Sequence, residues 1–103
     1  MYYAVDSAEI PSEYDAELEA VAVRIFDNPD LRVLVEGHAD DTGTRGHNNK
    51  FSNARAEAVK NRLVEQYALD PNQIYTIDFG EDLPAGIGAG ARLQNRRAVI
   101  LIQ

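Results

Sequence analysis

Cysteine is missing from this chain altogether, which removes disulfides, a thiolate nucleophile and thiolate-ligated metal sites from consideration. The absence suits a reducing compartment, and equally an oxidising one for a domain that needs no covalent staple. Positive charge is also scarce, with 10 Lys and Arg against 17 Asp and Glu and a formal net charge of -7. A nucleic-acid surface draws its affinity from clustered Lys and Arg, so nucleic acid is not an expected partner. A local anion site can still invert the global sign. No apolar run approaches the roughly 20 residues of a membrane helix, so membrane association is expected only through segments outside this chain. No charged n-region and apolar h-region open the sequence. What remains is one domain over 1–103, large enough to bury a core, with 45% hydrophobic and 26% charged residues. It is expected to be excised from a longer exported protein.

The elements follow from periodicity and punctuation. Tyr2 to Val5 reads as a short strand. Ser12 is a candidate N-cap with Asp15 three positions on, and Tyr14, Leu18, Val21, Ala22, Ile25 and Phe26 then recur at helical spacing. Asn28-Pro29 ends that helix, because the residue before proline is pushed out of the helical region. Leu31 to Glu36 alternates, with apolar residues at 31, 33 and 35, and predicts a strand running into Gly37. Asp40 to Lys50 carries two glycines and two asparagines and reads as a loop. Ser52 then caps a second helix, with Ala56, Val59, Leu63 and Tyr67 on one face and Glu57, Lys60, Arg62 and Glu65 on the other. After the turn at Asp70-Pro71-Asn72, Ile74 to Phe79 predicts a third strand that Gly80 breaks. Leu83 to Ala91 is a glycine-rich loop, and Arg97 to Ile102 is an apolar strand suited to the middle of a sheet. The expected fold is α/β: a two-layer sandwich in the order β-α-β-α-β-loop-β, with a mixed sheet and helices on one face. The tyrosines and phenylalanines at 2, 3, 14, 26, 67, 75 and 79 are read mostly as core.

Arg55 breaks a local rule. It falls at the third helical position after the Ser52 cap, where a carboxylate would complete a capping box and where the helix dipole disfavours a cation by ~0.3–1 kcal/mol. Free N–H groups at a helix start, with a guanidinium beside them, form a receptor for a carboxylate. Arg55 paired to a structural acid, Asp40 or Glu36, is the competing reading. Asp40 follows a strand end, where ligands sit in open α/β sheets, and it reads equally well as an Asx-turn residue.

Gly37-His38-Ala39-Asp40-Asp41-Thr42-Gly43, followed by Asn48, Phe51-Ser52 and Arg55-Ala56 and then by Asn95-Arg96-Arg97, resembles the signature of the OmpA-like C-terminal domain. The pieces are spread over about half of the chain in the family's order, which makes the match specific. The resemblance implies a periplasmic module, associated with the outer membrane and cell wall, that binds peptidoglycan without catalysis or cofactor. In that family the motif Asp and the helical Arg clasp the diaminopimelate of the stem peptide; the positions here are Asp40 and Arg55. Asn48, Arg96 and Asp6 match family positions that line the same groove, while Arg97 is expected to anchor the last strand. Ala39 departs from the family's Thr and removes a hydroxyl beside Asp40. If the pair is purely a ligand site, Arg55→Ala leaves thermal stability near the parent's, and Arg55→Glu equals or raises it.

Two other classes compete. His38 and His47 with Asp40 invite a zinc-dependent cell-wall amidase or peptidase, but no second His stands at helical i, i+4 spacing and no Glu is placed as a base. No metal site is therefore assigned, and His38 is expected to pack structurally. A protein-interaction domain taking a partner's acidic or C-terminal segment is the third reading. No serine has a nearby His in sequence, so an enzyme is not the expectation.

Overall fold

The computed structural model describes residues 1–4, 7–39, 45–80 and 96–102, with the main chain alone for 45–48, 79 and 80. Its elements are α1 (Asp15–Phe26), β1 (Val33–His38), α2 (Arg45–Tyr67), β2 (Ile74–Gly80) and β3 (Ala98–Ile102). β1 is the central strand, with β2 parallel on one side and β3 antiparallel on the other. The expected first strand survives as a bridge between Tyr2 and Arg97. It is reinforced by Tyr3 N–H donating to the Arg96 carbonyl at 2.7 Å and Ala98 N–H donating to the Met1 carbonyl at 2.8 Å. The expected mixed two-layer sandwich is therefore the observed one. The glycine-rich loop over Leu83–Ala91 lies outside the described residues.

Alternation along β1 puts Val33 and Val35 on the inner face, where they pack with Ile74 and Ala98 from the flanking strands. Leu18, Ala22 and Ile25 of α1 and Ala56, Val59 and Leu63 of α2 close the layer from above, each set at i, i+4 and i+7 or i, i+3 and i+7. On the other face, register aligns Leu34 with Tyr75 and Leu101, and Glu36 with Ile77 and Val99. That face accounts for the exposure of Tyr75, one correction to the aromatic core; Tyr2 and Phe26, the latter at the last position of α1, are exposed as well, while Tyr3 is buried. Gln73, at the turn into β2, donates from Nε2 to the Pro29 and Leu31 carbonyls at 2.8 and 3.1 Å and so fixes the connection from α1 to β1.

The boundaries shift in ways that matter for the site. β1 runs through Gly37 to His38, and its register with β2 slips between those two residues, a bulge that re-aims the strand end. α2 begins at Arg45, so most of the expected loop from Asp40 to Lys50 is helix. It stops where Ala68 takes φ 58 and Leu69 N–H closes on the Leu63 carbonyl at 3.3 Å. An alanine in the left-handed region carries a steric cost that glycine lacks. Ala68→Gly is expected to raise stability by about 0.5–1 kcal/mol in denaturant unfolding; a lowered midpoint would mean that the turn relaxes around the Cβ at no cost.

Candidate functional site

The inner face of α2 carries Ser52, Arg55, Ala56, Val59 and Leu63, and Arg55 is buried among them at 2% exposure. A buried guanidinium must have its donors satisfied. Nε donates to the Ser7 carbonyl at 2.8 Å, Nη1 to the His38 carbonyl at 3.1 Å and Nη2 to the Ala4 carbonyl at 3.2 Å. One side chain thus gathers the end of β1 and both sides of the 4–7 segment. Tyr3 lies with its ring centroid 5.3 Å from the Arg55 Cζ and Phe51 with its centroid at 5.6 Å, both within cation–π range. Burial pushes the Tyr3 phenol up to about 12, against the pull of the Arg55 charge. Its hydroxyl therefore stays protonated and donates to the Arg55 carbonyl at 3.4 Å.

This geometry corrects the local reading of Arg55. Ser52 is not a cap, because α2 starts seven residues before it. Its hydroxyl donates back to the Asn49 carbonyl at 3.0 Å and also meets the Asp78 carboxylate on β2. Arg55 stands ten residues after Arg45, deep in the helix, so no helix-start N–H groups flank it. Its placement is set instead by three main-chain carbonyls, which gives it structural weight. The three bonds argue against the expectation that its removal leaves stability untouched.

Arg96 donates from Nε to the Tyr3 carbonyl at 2.8 Å, so two guanidiniums pin the N-terminal segment over the strand ends. Asp6 and Asp40 lie outside the described residues. Asp6 is bracketed by Ala4 and Ser7, and Asp40 follows Ala39, which is buried, and His38; of these neighbours, Ala4, Ser7 and His38 each give Arg55 a carbonyl. Asn48 falls within α2 and not in a loop; its side chain, like that of His47, is not described. Arg97 has the expected strand-anchoring place, its carbonyl accepting the His38 N–H at 2.8 Å.

His38 is buried and its Nε2 lies 3.2 Å from Glu36 Oε1. A carboxylate only accepts, so Nε2 carries the proton. Burial holds the imidazole below its ordinary range, with the Glu36 hydrogen bond opposing and Arg97 assisting. A depressed folded-state value means that the unfolded chain binds the proton first. Stability is thus complete above the ordinary histidine value of roughly 6.5 and declines as pH falls below it. Urea unfolding at two pH values on either side of 6.5 is expected to show this decline, and His38→Gln to flatten it. An identical decline in the variant would assign the acid sensitivity to other groups.

The class defined here is a two-layer α/β module in which an inward-facing arginine joins a strand end to an N-terminal segment. The OmpA family model matches residues 2–98, and the chain belongs to that family. It is 36% identical over 102 residues to a peptidoglycan-associated lipoprotein of Haemophilus influenzae, covering 97% of this chain and 66% of that protein. Outer membrane protein Omp38 of Acinetobacter baumannii is 32% identical over 104 residues, covering 99% of this chain and 29% of that one. The crystal structure of the peptidoglycan-associated lipoprotein from Burkholderia pseudomallei superimposes with a TM-score of 0.93 at 29% identity, covering 99% of this chain and 87% of that one. The chain therefore spans less than two thirds of either of the first two relatives. Among the described residues no helix is long and apolar enough to cross a membrane.

Proposed function

We propose that this chain is a non-catalytic peptidoglycan-binding module of the periplasm that anchors the outer membrane, or a protein attached to it, to the cell wall. The observation that carries the reading is Arg55. By motif resemblance it matches the family's ligand-binding position, and it is held in one orientation by the carbonyls of Ala4, Ser7 and His38. A preorganised guanidinium takes a carboxylate without first giving up side-chain freedom. Asp40, two residues beyond the His38 carbonyl, supplies the opposite charge. Diaminopimelate in the stem peptide carries both an ammonium and a carboxylate at its free end. Asp40 accepts the ammonium and Arg55 takes the carboxylate, with Asn48, Asp6 and Arg96 completing the rim. Membership of the OmpA family and similarity to peptidoglycan-associated lipoproteins support peptidoglycan as the partner. A weak site suffices, because the wall presents many copies of the stem peptide at high effective concentration.

Titration calorimetry with muropeptides tests the clasp. Amidating the diaminopimelate carboxylate or acetylating its amine is expected to weaken binding by at least ~1.5–3 kcal/mol, the worth of a charged hydrogen bond. Asp40→Asn is expected to reproduce the effect of acetylation and to add little to it. Equal affinity for native and amidated muropeptides would overturn the clasp and move a protein partner ahead of the wall.

A further inference from the structure

We infer that Phe51 is a positioning residue for the ligand carboxylate, acting through Arg55. The inference rests on the reading of Arg55 as the carboxylate receptor. Phe51 lies one helical turn before Arg55 on α2, the i, i+4 spacing that stacks two side chains on one face. Its ring sits over the guanidinium carbon, 5.6 Å from centroid to Cζ. The three hydrogen bonds from Nε, Nη1 and Nη2 radiate to three separate carbonyls. Bonds lying in the guanidinium plane resist sliding and rotation within that plane, and an aromatic face resists tilting out of it. Tyr3 also faces the guanidinium, but its ring is fully buried and its hydroxyl is held by the Arg55 carbonyl. Phe51 is only partly buried, so of the two rings beside the charge it is the one that reaches the surface.

An apolar π face at that position does two things for an incoming carboxylate. It keeps water off one side of the guanidinium, which strengthens a charged hydrogen bond formed at its edge. It also blocks approach across the guanidinium face, which leaves the edge-on route that a planar carboxylate matches. Phe51 therefore sets both how firmly Arg55 grips and which anion geometry it accepts. Nothing on α2 other than the spacing from 51 to 55 is needed for this, and the aromatic ring is the operative property, not the bulk of the side chain.

The test compares the parent with Phe51→Leu, which keeps an apolar side chain without a π face, and Phe51→Tyr, which keeps the ring. Free diaminopimelate is the ligand in calorimetry, and hydrogen exchange of the Arg55 side-chain N–H groups, measured by NMR on the unliganded protein, is the second readout. Phe51→Leu is expected to bind about five- to thirty-fold more weakly and to exchange its Arg55 N–H protons faster, while backbone exchange in β1 stays at the parent's rate. Phe51→Tyr is expected to match the parent in both. Equal affinity of the leucine variant and the parent overturns the inference. Equal loss in both variants also overturns it, by assigning the effect to shape instead of the ring. If the parent itself takes no diaminopimelate, the wall-binding reading falls, and side-chain exchange alone decides whether Phe51 holds Arg55: unchanged exchange in Phe51→Leu ends the positioning role.

Discussion

Arg55→Ala is expected to abolish retention on purified sacculi and to lower the unfolding free energy by about 3–5 kcal/mol, a loss on the scale of an uncompensated buried polar network. The two effects have separate causes. Binding is lost with the carboxylate receptor. Stability is lost because the carbonyls of Ala4, Ser7 and His38 are stripped of their donor. Arg55→Lys keeps the charge but presents a single ammonium that cannot reach three carbonyls in one plane; it is expected to recover less than half of the stability and little of the binding. A melting temperature for Arg55→Ala within a few degrees of the parent's would sink the structural role, and undiminished pull-down would sink the ligand role. Because the two readouts are independent, either can fail alone.

Gly37→Ala is expected to be at least as damaging to the fold. A Cβ built on Gly37 would overlap the Ser52 carbonyl oxygen and come within 3.1 Å of the Ala56 Cβ. The obstruction is main chain in the middle of α2, which no rotamer change relieves. Accommodating it means lifting the helix off β1 at the point where Ser52, Arg55 and Ala56 are seated. Loss of more than about 4 kcal/mol, or failure to fold, is the expected outcome in denaturant titration. A variant that folds with a loss below about 1 kcal/mol would mean that helix and strand separate freely, contrary to the close approach described.

Most of the layer architecture was legible because its signals are local. Val33 and Val35 alternate, Leu18, Ala22 and Ile25 recur every turn, and Asp70-Pro71-Asn72 marks its own turn through the Asp70 carboxylate accepting from the Asn72 N–H at 2.9 Å. The start of α2 was not legible. Gly46, Asn48 and Asn49 are poor helix formers and read as loop, yet the helix runs through them from Arg45; tertiary context outweighs a propensity deficit of that size. Arg55 was legible as a motif residue and misread in its surroundings. Its spacing places it on the same stripe as Val59, four residues on, and that signal was available. What no local pattern carries is the identity of its partners, which lie 51, 48 and 17 residues away along the chain. Asp40 and Asp6 remain proposals from motif and connectivity, as do Asn48 and Arg96 in their ligand roles.

The pinning of the N-terminal segment has a consequence for the order of assembly. Met1 and Tyr3 are tied to Ala98 and Arg96, so the first and last parts of the chain must meet before either is fixed. Such distant pairings carry a large loop-closure cost and form late in folding. Arg55 depends on them, because two of its three carbonyls belong to the segment they hold. A half-folded chain emerging with α1, β1 and α2 in place would therefore carry the arginine without its setting. On the proposed wall-binding role, affinity arrives only when the last strand docks, and a nascent or unravelling molecule has no grip on the wall.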